Sequence, residues 1–260
     1  MTNYNSQLEN LFARWIERSE QNDEPREEGY GRVLFTKDGL MEKNDSQIDI
    51  SKAWLQSKRR VMFLLKDQPT KWGNDSRLWL KDIENEETGK RQSNENNRQL
   101  RSRFIHNIAN IFWGLWNSTS GNPCTVEQLN RSQEQVKQCF NTNPFAFVEC
   151  KKQGGGPQLS DKTLRHYLNS YGDLLKEEIE LLDPNIIVCT NQHIYNFVQN
   201  MYGNEFERIE GHNSIRVDLK HKKVILCSYH PSARRDKDTI YWGAVKHFNA
   251  YLQSDYPQFL

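Results

Sequence analysis

The chain has 260 residues, with 35 Lys and Arg against 34 Asp and Glu and a formal net charge of +1 at pH 7. That length supports one sizeable core, and the near-neutral balance excludes a generally basic nucleic-acid binder while leaving room for local basic patches. Five scattered cysteines form no C-x-x-C pair, the opening "MTNYNSQLENLFARW" lacks a signal-type apolar stretch, and no apolar run reaches membrane-spanning length, so a cytoplasmic protein in a reducing compartment is expected.

In "QLENLFARWIER", Leu8, Leu11, Phe12, Trp15 and Ile16 recur at helical spacing, which predicts an ordered N-terminal helix before the charged loop "SEQNDEPREEGYG". "RVMFLLKDQP" predicts a buried strand from Val61 to Leu65 stopped by Pro69. A polar, Asn- and Glu-rich excursion follows, and then Phe104, Ile105, Ile108, Ile111, Phe112 and Leu115 trace a core-facing helix. "NPFAFVECKKQGGG" reads as a strand ending in a basic, glycine-rich loop. The next helix has Leu164, Leu168, Tyr171, Leu175 and Leu182 on one side, Ser160 or Asp161 as its N-cap and Pro184 as its stop. "NIIVCTN" is a short strand, "QHIYNFVQNMYG" a helix closed by Gly203, and "FERIEGHNSIRVDLKHKKVILCSY" a stretch of strand pairing into the last sheet strand. A final helix turns Ile240, Val245, Phe248 and Leu252 inward. Strands alternating with helices predict an α/β fold, a three-layer α/β/α sandwich around a mostly parallel four-stranded sheet. It is read as one domain over 1–260, with an N-terminal helical extension over about 1–57 and a polar insertion over about 74–100.

Four strand ends then share one rim: "KDQPTKWG", "ECKKQGGG", "CTNQ" and "YHPSARR". Asp67-Gln68-Pro69, the basic Lys151-Lys152, "DPNIIVCTNQ" after a long helix, and His230-Pro231-Ser232, in that order over roughly residues 60 to 252, resemble the uracil-DNA glycosylase superfamily. The resemblance implies cleavage of an N-glycosidic bond. Asp67 would place a water and stabilise a sugar cation, and His230 would donate to the departing base. Gln68, Pro69 and Asn191 would line the substrate site, Trp72 would stack on the base ahead of Trp79 as the second candidate, and Lys151, Lys152, Ser232, Arg234 and Arg235 would hold phosphates.

The chain departs from the family pattern at Lys66, where a glycine is usual, at Thr70 after the proline, and at Glu149, which stands where an Asn often reads the base. Read as an ionised acceptor, Glu149 would reject uracil and favour a base with an exocyclic amine. Neither the cysteines nor His193, His212 and His221 form a metal set, so no cofactor and no metal are expected. The expected partner is DNA or a nucleotide-like ligand, bound by a monomer away from membranes. Two functions stay open, a base-excision glycosylase or a binding module that keeps the fold without cutting.

Overall fold

The computed structural model describes residues 4–22, 35–69, 75–84, 91–155, 159–203, 205–256 and 259–260. Helix α1 (Tyr4–Gln21) leads to the short strand β1 (Gly39–Leu40), α2 (Ile50–Gln56) and strand β2 (Val61–Pro69). A 3-10 turn (Ser76–Leu78), the two-stranded ribbon β3 (Ile83–Glu84) and β4 (Arg91–Gln92), and α3 (Glu95–Arg98) occupy the polar excursion. Next come α4 (Arg103–Asn117), α5 (Val126–Arg131), α6 (Gln133–Thr142), β5 (Ala146–Gly155), α7 (Asp161–Leu182), β6 (Ile186–Cys189) and α8 (Gln192–Met201). The strands β7 (Glu207–Ile209), β8 (His212–Asp218) and β9 (Lys223–Cys227) precede the closing helix α9 (Lys237–Leu252).

Among the described residues the main sheet has seven strands in the order β1-β5-β2-β6-β9-β8-β7. The expected parallel block is present, since β5, β2, β6 and β9 pair in parallel. The sheet is nevertheless larger and mixed, because β1 joins β5, β8 joins β9 and β7 joins β8 antiparallel. The antiparallel edge follows from local chemistry. Gly211 adopts φ 72, a left-handed turn conformation open to glycine without strain, so β7 folds back onto β8. The parallel strands carry consecutive buried apolar residues because both sheet faces are covered. Val61, Phe63, Phe147, Val188 and Leu226 pack with α4, α6 and α9 on one face, and Met62, Leu64, Val148, Ile187 and Ile225 pack with α1, α7 and α8 on the other.

Most predicted helix boundaries have identifiable caps. Ser160 accepts the Thr163 N–H at 3.1 Å to start α7, and Asp183 closes that helix in a left-handed conformation of φ 45. In α1 the inward stripe is Leu8, Leu11, Phe12 and Trp15, while Ile16 lies outside it at 37% exposure. Most of the charged loop after α1, together with Thr70 and Trp72, lies outside the described residues. No helix among the described residues is long and apolar enough to cross a membrane.

Candidate active site

The carboxyl ends of the four parallel strands bring the candidate residues to one rim. Asp67 on β2 stands in register with Lys151 on β5, and Leu65 with Glu149. The pairing then shifts, so that Pro69 meets Gly155. This irregularity takes up the extra length of β5, which runs through the lysine pair instead of ending before it. His230 lies three residues beyond the end of β9. In the strand order β6 stands between β9 and β2, the strand that carries Asp67.

The His-Pro-Ser turn is fixed by its surroundings. The Ala233 N–H donates to the His230 carbonyl at 2.8 Å, and the Asn107 amide of α4 donates to the Pro231 carbonyl at 2.7 Å. His230 Nδ1 accepts the Ser232 backbone N–H at 3.2 Å. Burial, followed by the positive charge of Lys66, holds the imidazole down at about 4, so the ring is neutral at physiological pH. A neutral ring whose Nδ1 accepts carries its proton on Nε2 and is a donor there. Phe104, at the start of α4, lies beside the imidazole with centroids 6.0 Å apart. Beyond His230, Arg235 stacks its guanidinium 4.5 Å over the Tyr229 ring, and Ser232, Arg234 and Arg235 are exposed.

Below the rim the charges are interior. Lys152 has a fully buried ammonium between Asp38, at 2.5 and 2.6 Å, and Glu178, at 2.7 Å. Burial opposes its charge, but the two acids more than offset this and raise its pKa. Burial and then Asp38 push Glu178 well above the ordinary carboxyl range. The cluster sets two buried acids against one buried lysine. Phosphate contact by Lys152 is incompatible with this placement. Lys151 is also turned inward: its ammonium donates to the Gln153 carbonyl at 2.8 Å and stands 4.0 Å from Asp67 Oδ2.

Glu149 is 1% exposed, and its backbone N–H donates to Asp38 at 2.6 Å. Burial, then the negative charges of Asp38 and Asp67, push its carboxyl well above the usual range. Burial and these acids disfavour the ionised acceptor expected from the sequence, and a protonated carboxyl would both donate and accept. Gln68 is buried at 1% exposure. Asn191 caps α8 by accepting the His193 N–H at 2.7 Å, and its amide reaches Asp161 at 3.4 Å. Asp161 also pairs with Lys66 at 3.3 Å, closing the rim between β2 and α7. Trp79 packs edge-on against Phe104 and Phe147 inside the core.

Phe104, Asp38 and Glu178 are the residues that sequence reasoning missed. Glu178 had a visible signal, because it interrupts the apolar stripe of Tyr171, Leu175 and Leu182 at helical spacing. Asp38 had none, as its partners lie more than a hundred residues away in the chain.

A sequence profile of the Uracil DNA glycosylase superfamily matches residues 91–253. That span contains β5, β6, β9, Glu149 and His230 but not Asp67 on β2, whose placement rests on strand pairing alone. No curated protein matches the chain. The profile takes in well over half of the sequence, together with three of the four strands whose ends form the rim, and the chain belongs to the uracil-DNA glycosylase superfamily.

Proposed function

We propose that this protein hydrolyses the N-glycosidic bond of uracil or a related altered base in DNA, without a cofactor. Asp67 orients a water and accepts its proton as the C1′–O bond forms and the C1′–N bond breaks. His230 donates from Nε2 to the oxygen of the departing base anion. The neutral Glu149 carboxyl reads the base edge, and its one donor and one acceptor match the imide carbonyl and N–H of uracil. Phe104 offers an aromatic surface beside the base, and Ser232, Arg234 and Arg235 hold flanking phosphates of an extruded nucleotide.

The observation that carries this reading is the neutral His230, with Nδ1 already occupied and Nε2 left to donate, at the same end of the sheet as Asp67. The test is release of free base from single- and double-stranded uracil-containing oligonucleotides by the parent, Asp67→Asn and His230→Ala. Release by the parent that collapses in both variants supports the glycosylase. Tight oligonucleotide binding without release by the parent would replace it with the non-catalytic binding module.

A further inference from the structure

A concavity of about 580 Å³ opens at the amino ends of the same parallel strands. Arg60 directly precedes β2, and Lys223 opens β9. Asp67 lies seven residue steps along β2 from Arg60, or about 23 Å at ~3.3 Å per residue, so an occupant here cannot be the nucleotide held at the carboxyl rim. The volume falls within the range of small-molecule sites.

Its charge is unbalanced. Lys58, Arg60, Lys222 and Lys223 line it, and Asp183 is the one acidic side chain among the lining residues. Asp183 already serves two of them, since Arg60 donates to its carboxylate at 2.8 Å and to its carbonyl at 2.6 Å, while Lys223 pairs with its other oxygen. Lys58 and Lys222 have no ion-pair partner among the described residues. Lys222 is also held at φ 54, a left-handed conformation that is strained for a non-glycine residue. Collecting like charges in a concave site disfavours the folded state unless an anion neutralises them. Phe259 supplies a partly buried aromatic wall, backed by Tyr251 with centroids 5.8 Å apart.

We infer that this cleft binds a nucleoside phosphate, with Lys58 and Lys222 meeting the phosphate and Phe259 meeting the base. The same chemistry is available from a free nucleotide or from a phosphodiester within a strand. The inference is independent of the glycosylase reading.

Equilibrium dialysis with thymidine 5′-monophosphate tests it on the full chain, comparing the parent with Lys58→Ala/Lys222→Ala and with the exposed control Lys246→Ala on α9. Both lysines are exposed, so their double variant should melt with the parent. The expected result is binding by the parent, at least tenfold weaker binding by the lysine variant, and unchanged binding by Lys246→Ala. Titration of a short single-stranded oligonucleotide against salt identifies the source. A slope reduced by about 1.4 in the lysine variant, at ~0.7 per lost phosphate contact, assigns a strand. An unchanged slope with weakened mononucleotide binding assigns the free nucleotide. The inference is overturned by a parent that binds neither probe, or by binding of both that is undiminished in the lysine variant.

Discussion

His230 Nδ1 accepts the backbone N–H of Ser232 at 3.2 Å, which assigns the imidazole proton to Nε2 in the neutral ring. Because burial and Lys66 hold this histidine at about 4, its donor form persists throughout the neutral range. Base release should therefore show no inflection near pH 6.5 from His230 and should decline as pH falls towards 4. His230→Ala should lower the single-turnover rate by about 10²–10³, the scale of a lost transition-state donor. A parent profile with a pKa near 6.5 that vanishes in His230→Ala would contradict the assigned tautomer and environment.

Asp67 is predicted to act on the rate more than on binding. Asp67→Asn keeps the shape and removes the base, so single-turnover release should fall by roughly 10²–10⁴. Oligonucleotide affinity should change little. An unchanged rate would remove Asp67 from the reaction.

Lys152 is a test of stability. Lys152→Met leaves Asp38 facing Glu178 without a cation, and breaking such a buried cluster costs about 3–5 kcal/mol. At about 2–4 °C per kcal/mol the midpoint should fall by roughly 6–20 °C. The salt dependence of DNA binding should not move, as the ammonium is fully buried. A shifted salt slope with unchanged melting would return Lys152 to the phosphate surface.

Arg234 and Arg235 should behave in the opposite way. Their double alanine variant should melt like the parent, while its salt slope on duplex DNA shrinks by up to about 1.8, at ~0.9 per phosphate contact. An unaltered slope would make them ordinary surface residues.

Glu149 links the base site to pH. Its carboxyl holds a proton in the folded state that the unfolded chain releases above the ordinary value of 4.5. The folded state thus binds more protons, and this group contributes a stability that falls as pH rises towards its elevated folded pKa. Glu149→Gln removes that contribution, so its urea midpoint should decline less than the parent's between pH 6 and 9. Identical pH dependences would show that Glu149 is ionised in the fold.

The helices and parallel strands were legible because consecutive apolar residues such as Ile186-Ile187-Val188 and stripes such as Leu164, Leu168 and Tyr171 encode burial directly. The rim residues Asp67 and His230 were legible because each follows such a strand. The Lys151-Lys152 pair was not, because two adjacent lysines before glycines resemble a solvated loop. In the structure β5 continues through them, and the lysines end in different interior surroundings. Recognising this required Asp38 and Glu178, whose partnership depends on tertiary packing and leaves no local pattern. The surroundings of Glu149 were hidden for the same reason: its identity was visible, but its pKa is raised by burial and by acids remote in the chain.

Chemistry at the rim is also hostage to a contact at the far end of α4. A Cβ at Gly114 would fall 2.7 Å from both Tyr241 and Val245 of α9, so only glycine lets the two helices lie this close. Ten residues earlier on the same helix, about 15 Å along its axis, stands Phe104, and between them Asn107 holds the Pro231 carbonyl. Helix α4 is thus a rigid lever whose fulcrum is the glycine and whose working end carries the aromatic and amide groups that seat His230. A Gly114→Ala substitution would tilt that lever and misalign the imidazole without touching any residue proposed to meet DNA, a remote lesion that would resemble a mutation of the proposed active site in an activity screen.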